Sequence, residues 1–181
     1  GDEYQLIVQR NDFTPPVTAQ TIILPKPVLR IPTPGPGATL NFKPNSLFTF
    51  QWNEMPDAGV FDIHLVFHYL ERSTETGGLY VPKSFDWVVE RNLTNREHKV
   101  DGREFYNTIT TFIKPDIDAE RIFETIDITI WCGGMELGEF IKIIQANQFI
   151  TSTQDIPSYT NLSEGIGIFS SRNFGQYKDF G

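Results

Sequence analysis

The chain is 181 residues long, with 15 basic and 23 acidic residues, a net charge of −8 and 39% hydrophobic residues. A chain of this size buries roughly 70% of its unfolded surface and needs neither disulfide nor metal to fold, and its single cysteine, Cys132, excludes an internal disulfide. The acidic balance excludes the basic footprint that nucleic acid or an anionic membrane demands, and the apolar runs fall far short of the ~20 residues of a membrane-crossing helix.

The chain opens Gly-Asp-Glu without Met, so Gly1 reads as an expression scar, and a removed targeting segment would leave no trace. In EYQLIV, Tyr4, Leu6 and Val8 share a face; in VTAQTIIL, Val17, Ala19, Thr21 and Ile23 do. NDFTPP between them reads as a turn, so residues 1–24 are expected to form a hairpin. That hairpin either ends an upstream immunoglobulin-like domain or lends its second strand to the main one. Five prolines within Pro25–Pro36 permit only an extended connector or an edge segment, placing a domain boundary at 25–37.

The main domain is expected over 38–181. Phe48, Phe50 and Trp52 alternate with Thr49 and Gln51; Phe61, Ile63, Leu65, Phe67 and Tyr69 alternate with Asp62, His64 and His68. NEMPDAG separates the two runs, and together they read as an aromatic-rich hairpin. That pattern suits a mainly-β (α+β), immunoglobulin- or fibronectin III-like sandwich. Residues 79–90 read as a strand pair or a broken strand. Asp101 with Glu104 resembles a capping box; Phe105, Ile109 and Phe112 follow at helical spacing and Pro115 ends the run, which predicts a helix over 102–113. Ile126, Ile128, Ile130 and Cys132 mark a strand over 125–132. Leu137, Phe140, Ile141 and Ile144 predict a second helix over 136–146, with a strand as the alternative. A last strand is expected at Ile166 and Ile168, with Phe169 on its other face and Gly165 and Gly167 allowing close backbone approach.

No catalytic, cofactor-binding or metal-binding residue emerges. His64 and His68, four apart on a strand, have Cα atoms about 13 Å apart, whereas a shared zinc needs both ring nitrogens within ~2.1 Å of it. Asp116, Asp118 and Glu120 give a D-x-D-x-E look, but an EF-hand loop needs Gly at its sixth position, where Arg121 stands. They read as a solvated loop, and Cys132 as a buried thiol. Serine-nucleophile, Walker and dinucleotide motifs are absent from the sequence. Of the tryptophans, Trp52 reads as core. Trp131, opposite Cys132 and beside Thr129 and Asp127, is the best candidate for an exposed indole, unless a helix covers it. The loops Asn53–Gly59 and Ser73–Gly78 are expected at one end of the sandwich, so Asn53, Glu54, Thr74, Glu75 and Thr76 join Trp131 as a candidate ligand surface. Asn92-Leu93-Thr94 and Asn161-Leu162-Ser163 fit glycosylation acceptors.

Two stretches carry a resemblance. EYQLIV followed by VTAQT resembles the Y-x-L-x-V … V-x-A-x-T hairpin of a family of Bacteroidetes-type outer-membrane lipoproteins of unknown function, and YTNLSEGIGIF resembles that family's C-terminal signature. The segment from Glu136-Leu137 to Ile144 resembles its strand-then-helix unit. The chain lacks the family's upstream domain and lipobox cysteine. The resemblance implies an immunoglobulin-like fold, an extracytoplasmic, outer-membrane-associated location and a lipid anchor in the full-length protein. It carries no established activity. The function expected is a non-enzymatic binding or accessory module of the envelope, in nutrient uptake or adhesion, with a glycan or an envelope protein as partner and no cofactor. A glycan-acting hydrolase and a structural spacer are the alternatives.

Overall fold

Period-two alternation decides where this chain puts its apolar surface. The computed structural model describes residues 1–11, 13–147 and 158–181. In chain order the elements are β1 (Glu3–Val8), β2 (Val17–Ile22), β3 (Leu29–Ile31), β4 (Leu47–Trp52), β5 (Ala58–Ser73), β6 (Val81–Leu93), β7 (Glu97–Asp101), α1 (Gly102–Phe112), β8 (Ala119–Gly134), α2 (Met135–Asn147) and β9 (Arg172–Phe180). They make a β1-β2 ribbon, a three-stranded sheet ordered β3-β4-β7 and a four-stranded sheet ordered β6-β5-β8-β9, all antiparallel. The two larger sheets pack face to face as an immunoglobulin/fibronectin III-like sandwich with two helices. Phe50, Trp52 and Val100 on one side meet Ile63, Leu65, Phe67, Ile128 and Ile130 on the other, each at most 2% exposed.

The hairpin expected over Ser46–Arg72 does not form. β4 pairs with β3 and β7, β5 pairs with β6 and β8, and the NEMPDAG turn carries the chain between sheets. The reason lies in the aromatic faces themselves. Side by side they would cover nothing, whereas facing each other they cover one another, and the Trp52 and Phe61 rings meet across the sandwich at 5.1 Å. Of residues 79–90, those from Val81 on belong to one edge strand, β6, whose second residue, Pro82, interrupts no central ladder. β8 starts at Ala119, ahead of the expected 125, because the long β5 offers a partner that far.

Both helices form where expected. Asp101 caps α1 by accepting a hydrogen bond from the Arg103 amide at 2.8 Å, rather than from Glu104 as in a full capping box. The Arg103 guanidinium also holds the Asp101 carboxyl at a pKa of about 2. Phe105 of α1 stacks on Phe42 at 4.1 Å and closes one end of the core. α2 docks backbone to backbone on β5: a Cβ on Gly138 would sit 2.7 Å from the Gly59 carbonyl oxygen.

The last strand lies elsewhere than expected. Residues 166–168 form no strand, Ile166 is 83% exposed, and β9 begins at Arg172. The Asn161 side chain takes the place of a strand partner. Its Oδ1 accepts from the Phe169 amide and its Nδ2 donates to the Phe169 carbonyl, both at 2.8 Å, while Gly165 at φ +90° turns the chain back. The loop so closed holds the N-terminal ribbon, for Ser163 exchanges two hydrogen bonds with Thr18, and Asn161 donates to the Gln20 carbonyl. Asp12 of the expected N-terminal turn, and residues 148–157 ahead of the tail, lie outside the described residues.

The proline-rich stretch contributes to the core. Leu24, Pro27 and Leu29 are almost fully buried, and Leu29–Ile31 is the edge strand β3. The Tyr177 hydroxyl ties this edge to β9, accepting from the Leu29 amide at 2.9 Å and donating to the Pro27 carbonyl at 2.7 Å.

Candidate functional site

β5 and β8 present two faces. With Ile63, Leu65, Ile128 and Ile130 turned to the core, alternation turns Asp62, His64 and His68, and Asp127, Thr129 and Trp131, to the other side. Register sets Asp62 opposite Trp131 and His64 opposite Thr129 on one flank, and Trp131 opposite Phe174 of β9 on the other. α2 covers only the end of this face, where Leu137 and Val60 crowd Gly133. Among the described residues no helix covers Trp131, which is half-buried. Its ring packs on Phe174 at 4.6 Å, and the Arg172 guanidinium lies 5.7 Å from its centroid.

Beside Trp131 the outer face is dented by a cavity of about 290 Å³ lined by Asp62, His64, Arg91, Trp131 and Arg172. Arg91 reaches it through an irregularity. Strict alternation would put Arg91 on the core side with Trp87 and Val89. Between Phe61 and His64, however, the pairing with β6 slips twice, and Asn92 sits in the left-handed region at φ +60°. The extra residues leave Arg91 exposed and free to line the outer dent. Asp62 is fixed from two sides: its Oδ1 accepts from the Asn92 amide at 2.9 Å and its Oδ2 faces Arg172 at 3.8 Å.

The electrostatics of the dent are lopsided for so acidic a chain. Two guanidinium groups face one carboxylate, and Arg91 enters none of the ion pairs among the described residues. His64 adds no charge near neutrality. Burial pushes its pKa below 6.5, and Arg91 and Arg172 push the same way against Asp62 and Asp86. Its Nε2 is buried with no hydrogen-bond partner among the described residues, an arrangement that ordinarily costs about 1–3 kcal/mol. His68 lies further along the face, 3.4 Å from Asp127. No group of three or more metal-ligating side chains converges among the described residues.

The other expected site residues do not gather here. Asn53 and Glu54 precede β5, whereas Thr74, Glu75 and Thr76 follow it, so the two loops occupy opposite ends of a 16-residue strand, roughly 50 Å apart. Asn53 is occupied structurally, bonding the Val28 backbone through both its amide and its Oδ1, and Glu54 pairs with Arg96 at 2.7 Å. Thr74 is tied to the turn after α1, donating from its amide to Asp118 and from its hydroxyl to Ile117. Thr76 shares a shallow cavity with Asp116 and Asp118. Glu120 is bound to Arg72 at 2.5 Å. Cys132 is buried, and burial pushes its thiol pKa up. Of the two glycosylation sequons, Asn161 spends its side-chain nitrogen on two hydrogen bonds, while Asn92 is exposed.

Arg91, Arg172 and Phe174 are absent from the sequence reading because only pairing brings them to Trp131. Arg172 pairs with Gly133, two residues along β8 from Trp131, which puts its guanidinium on the indole's side of the sheet. Comparison with protein-family models, curated proteins and solved structures gives no match for this chain.

Proposed function

We propose that this chain is a non-enzymatic binding module whose ligand sits in the outer-face dent at Trp131. The observation that carries the reading is the half-open indole on a central strand, flanked by Arg91 and Arg172 with Asp62 fixed beside them. An aromatic surface with a few convergent polar groups, held on rigid strands, is what small-ligand recognition requires. The shifted carboxyl groups elsewhere are engaged in surface ion pairs and hydrogen bonds. Glu71, Glu120 and Asp101 are all shifted down, by Lys83 and Arg121, by Tyr80 and Arg72, and by Arg103, so each is stabilised as an anion.

The resemblance of the N-terminal ribbon and tail to envelope lipoproteins supports an extracytoplasmic, outer-membrane-associated setting, with a glycan or envelope protein as the ligand class. No helix among the described residues is long and apolar enough to cross a membrane. The test is a glycan and peptide array probed with the native protein and with Trp131→Ala. Binding lost in a variant that still melts cooperatively supports the reading. Polysaccharide turnover abolished by one carboxylate-to-amide change replaces it with a hydrolase.

A further inference from the structure

The dent has more character than a general aromatic surface, and its charge says which ligand it prefers. We propose that it selects a sugar ring bearing a carboxylate, a uronic acid residue, over neutral sugars; the inference rests on the binding-module reading and narrows it. A volume of about 290 Å³ is at the small end for ligand pockets, so it suits one sugar ring rather than a long segment of chain. The indole offers an apolar surface to the C–H face of such a ring. Arg172 is already held over one part of that indole, by its position opposite Gly133 and by Asp62 at 3.8 Å. That distance is long for an ion pair, so the guanidinium keeps donors for a ligand. Arg91 enters no ion pair among the described residues, and it reaches the dent because β6 bulges there. Guanidinium groups bind a carboxylate in a two-pronged geometry that a neutral hydroxymethyl group cannot accept.

Asp62 sets the complementary half. Its Oδ1 is used by Asn92, and the rest of its acceptor capacity faces the dent, where ring hydroxyls would donate. A purely cationic site would take any anion. An indole, two guanidinium groups and a fixed carboxylate together ask for a ligand that is apolar on one face, anionic at one point and hydroxylated at another.

The experiment is calorimetric titration of the native chain with galacturonate oligomers, with neutral galactose oligomers of equal length, and with glutarate as a carboxylate without a ring. The expected result is at least tenfold tighter binding of the galacturonate oligomers than of either control. Arg91→Gln should weaken galacturonate binding about tenfold, or about 1.4 kcal/mol, and so narrow the gap between acidic and neutral oligomers. Arg91 is exposed on an edge strand, so this variant should melt as the parent does; if it fails to fold, Arg172→Gln carries the same test. Equal affinity for the acidic and neutral oligomers, both lost in Trp131→Ala, overturns carboxylate selection and leaves the binding module standing. Glutarate binding as tightly as galacturonate overturns the sugar ring. Loss of every array signal as well removes the binding module itself.

Discussion

The two faces of the four-stranded sheet are made by the same strands and obey different rules. On the inner face, Ile63, Leu65, Ile128 and Ile130 are fully buried, and each is there because it is apolar and two residues from the next. On the outer face, Asp62, His64, Trp131 and Arg172 are neighbours because β5, β8 and β9 pair in one register and because β6 bulges by Arg91. The inner face is dictated by composition along one strand; the outer face is dictated by partners. A site built the second way survives mutation of any one core residue only if the register survives, so the inner face acts on the outer one through alignment.

The largest effect should follow from removing what the facing sheet packs against the inner face. Trp52 is 1% exposed, and truncation to Ala should lower unfolding stability by about 3–5 kcal/mol, read from denaturant titration. Its indole nitrogen is buried without a partner among the described residues, so Trp52→Phe should lose much less, since it removes an unsatisfied donor together with some volume. Equal losses in the two variants would mean that the indole is held by something other than packing.

A smaller loss is expected where register itself is tested. Gly175 on β9 lies directly beneath the Pro27 carbonyl, and a Cβ there would press into that oxygen. Gly175→Ala should cost about 1–3 kcal/mol. It should also disturb the outer face, because Arg172 and Phe174 ride on the same strand, so the Trp131 fluorescence should shift in the folded state. A destabilised variant with unchanged Trp131 emission would uncouple the two faces.

This contrast also explains what could be read from residues alone. Phe50, Trp52, Ile63, Phe67 and Ile128 announce the sandwich because period two is a local signal. The cap at Asp101 and the spacing of Phe105 and Ile109 announce α1 for the same reason. That β4 and β5 lie in different sheets is invisible locally, because an aromatic stripe looks the same whether its cover is a neighbour or a facing sheet. β9 escapes because, of its inward positions, only Phe180 is a plain apolar residue, while Asn173, Gly175 and Tyr177 bond Leu24, pass under Pro27 and clasp Leu29. Ile166 and Ile168 look like a strand, yet their neighbour Phe169 spends its backbone groups on Asn161. At the candidate site, Trp131 is legible from alternation, whereas Arg91 is not, since a bulge overrides the alternation that would bury it.

Removing Trp131 should separate stability from binding. The indole is half-buried and makes one cross-strand aromatic pair, with Phe174, so Trp131→Ala should cost about 1 kcal/mol in unfolding, far less than Trp52→Ala, while eliminating ligand binding. A loss comparable to that of Trp52→Ala would make Trp131 a structural residue and weaken the site.

The smallest effect is a pH dependence that belongs to the outer face. Desolvation by burial pushes the His64 pKa below 6.5, with Arg91 and Arg172 adding to the shift and Asp62 and Asp86 opposing it. Well above pH 6.5 His64 is neutral whether the chain is folded or unfolded, and contributes nothing. As pH falls through 6.5 the unfolded chain takes up a proton that the folded chain refuses. The unfolded state then binds more protons, so stability declines, and the decline levels off once pH passes below the folded-state pKa. Glu71 and Glu120, whose pKa values lie below 4.5, act in a separate window below that pH. Melting temperature measured between pH 7 and 5 should therefore fall by an increment that His64→Gln lacks. A bound uronate would bring a negative charge beside His64 and ease its protonation, so the saturated native chain should lose less stability over the same interval than the free one. If the ligand leaves the pH slope of the native chain unchanged, its carboxylate does not lie in this dent.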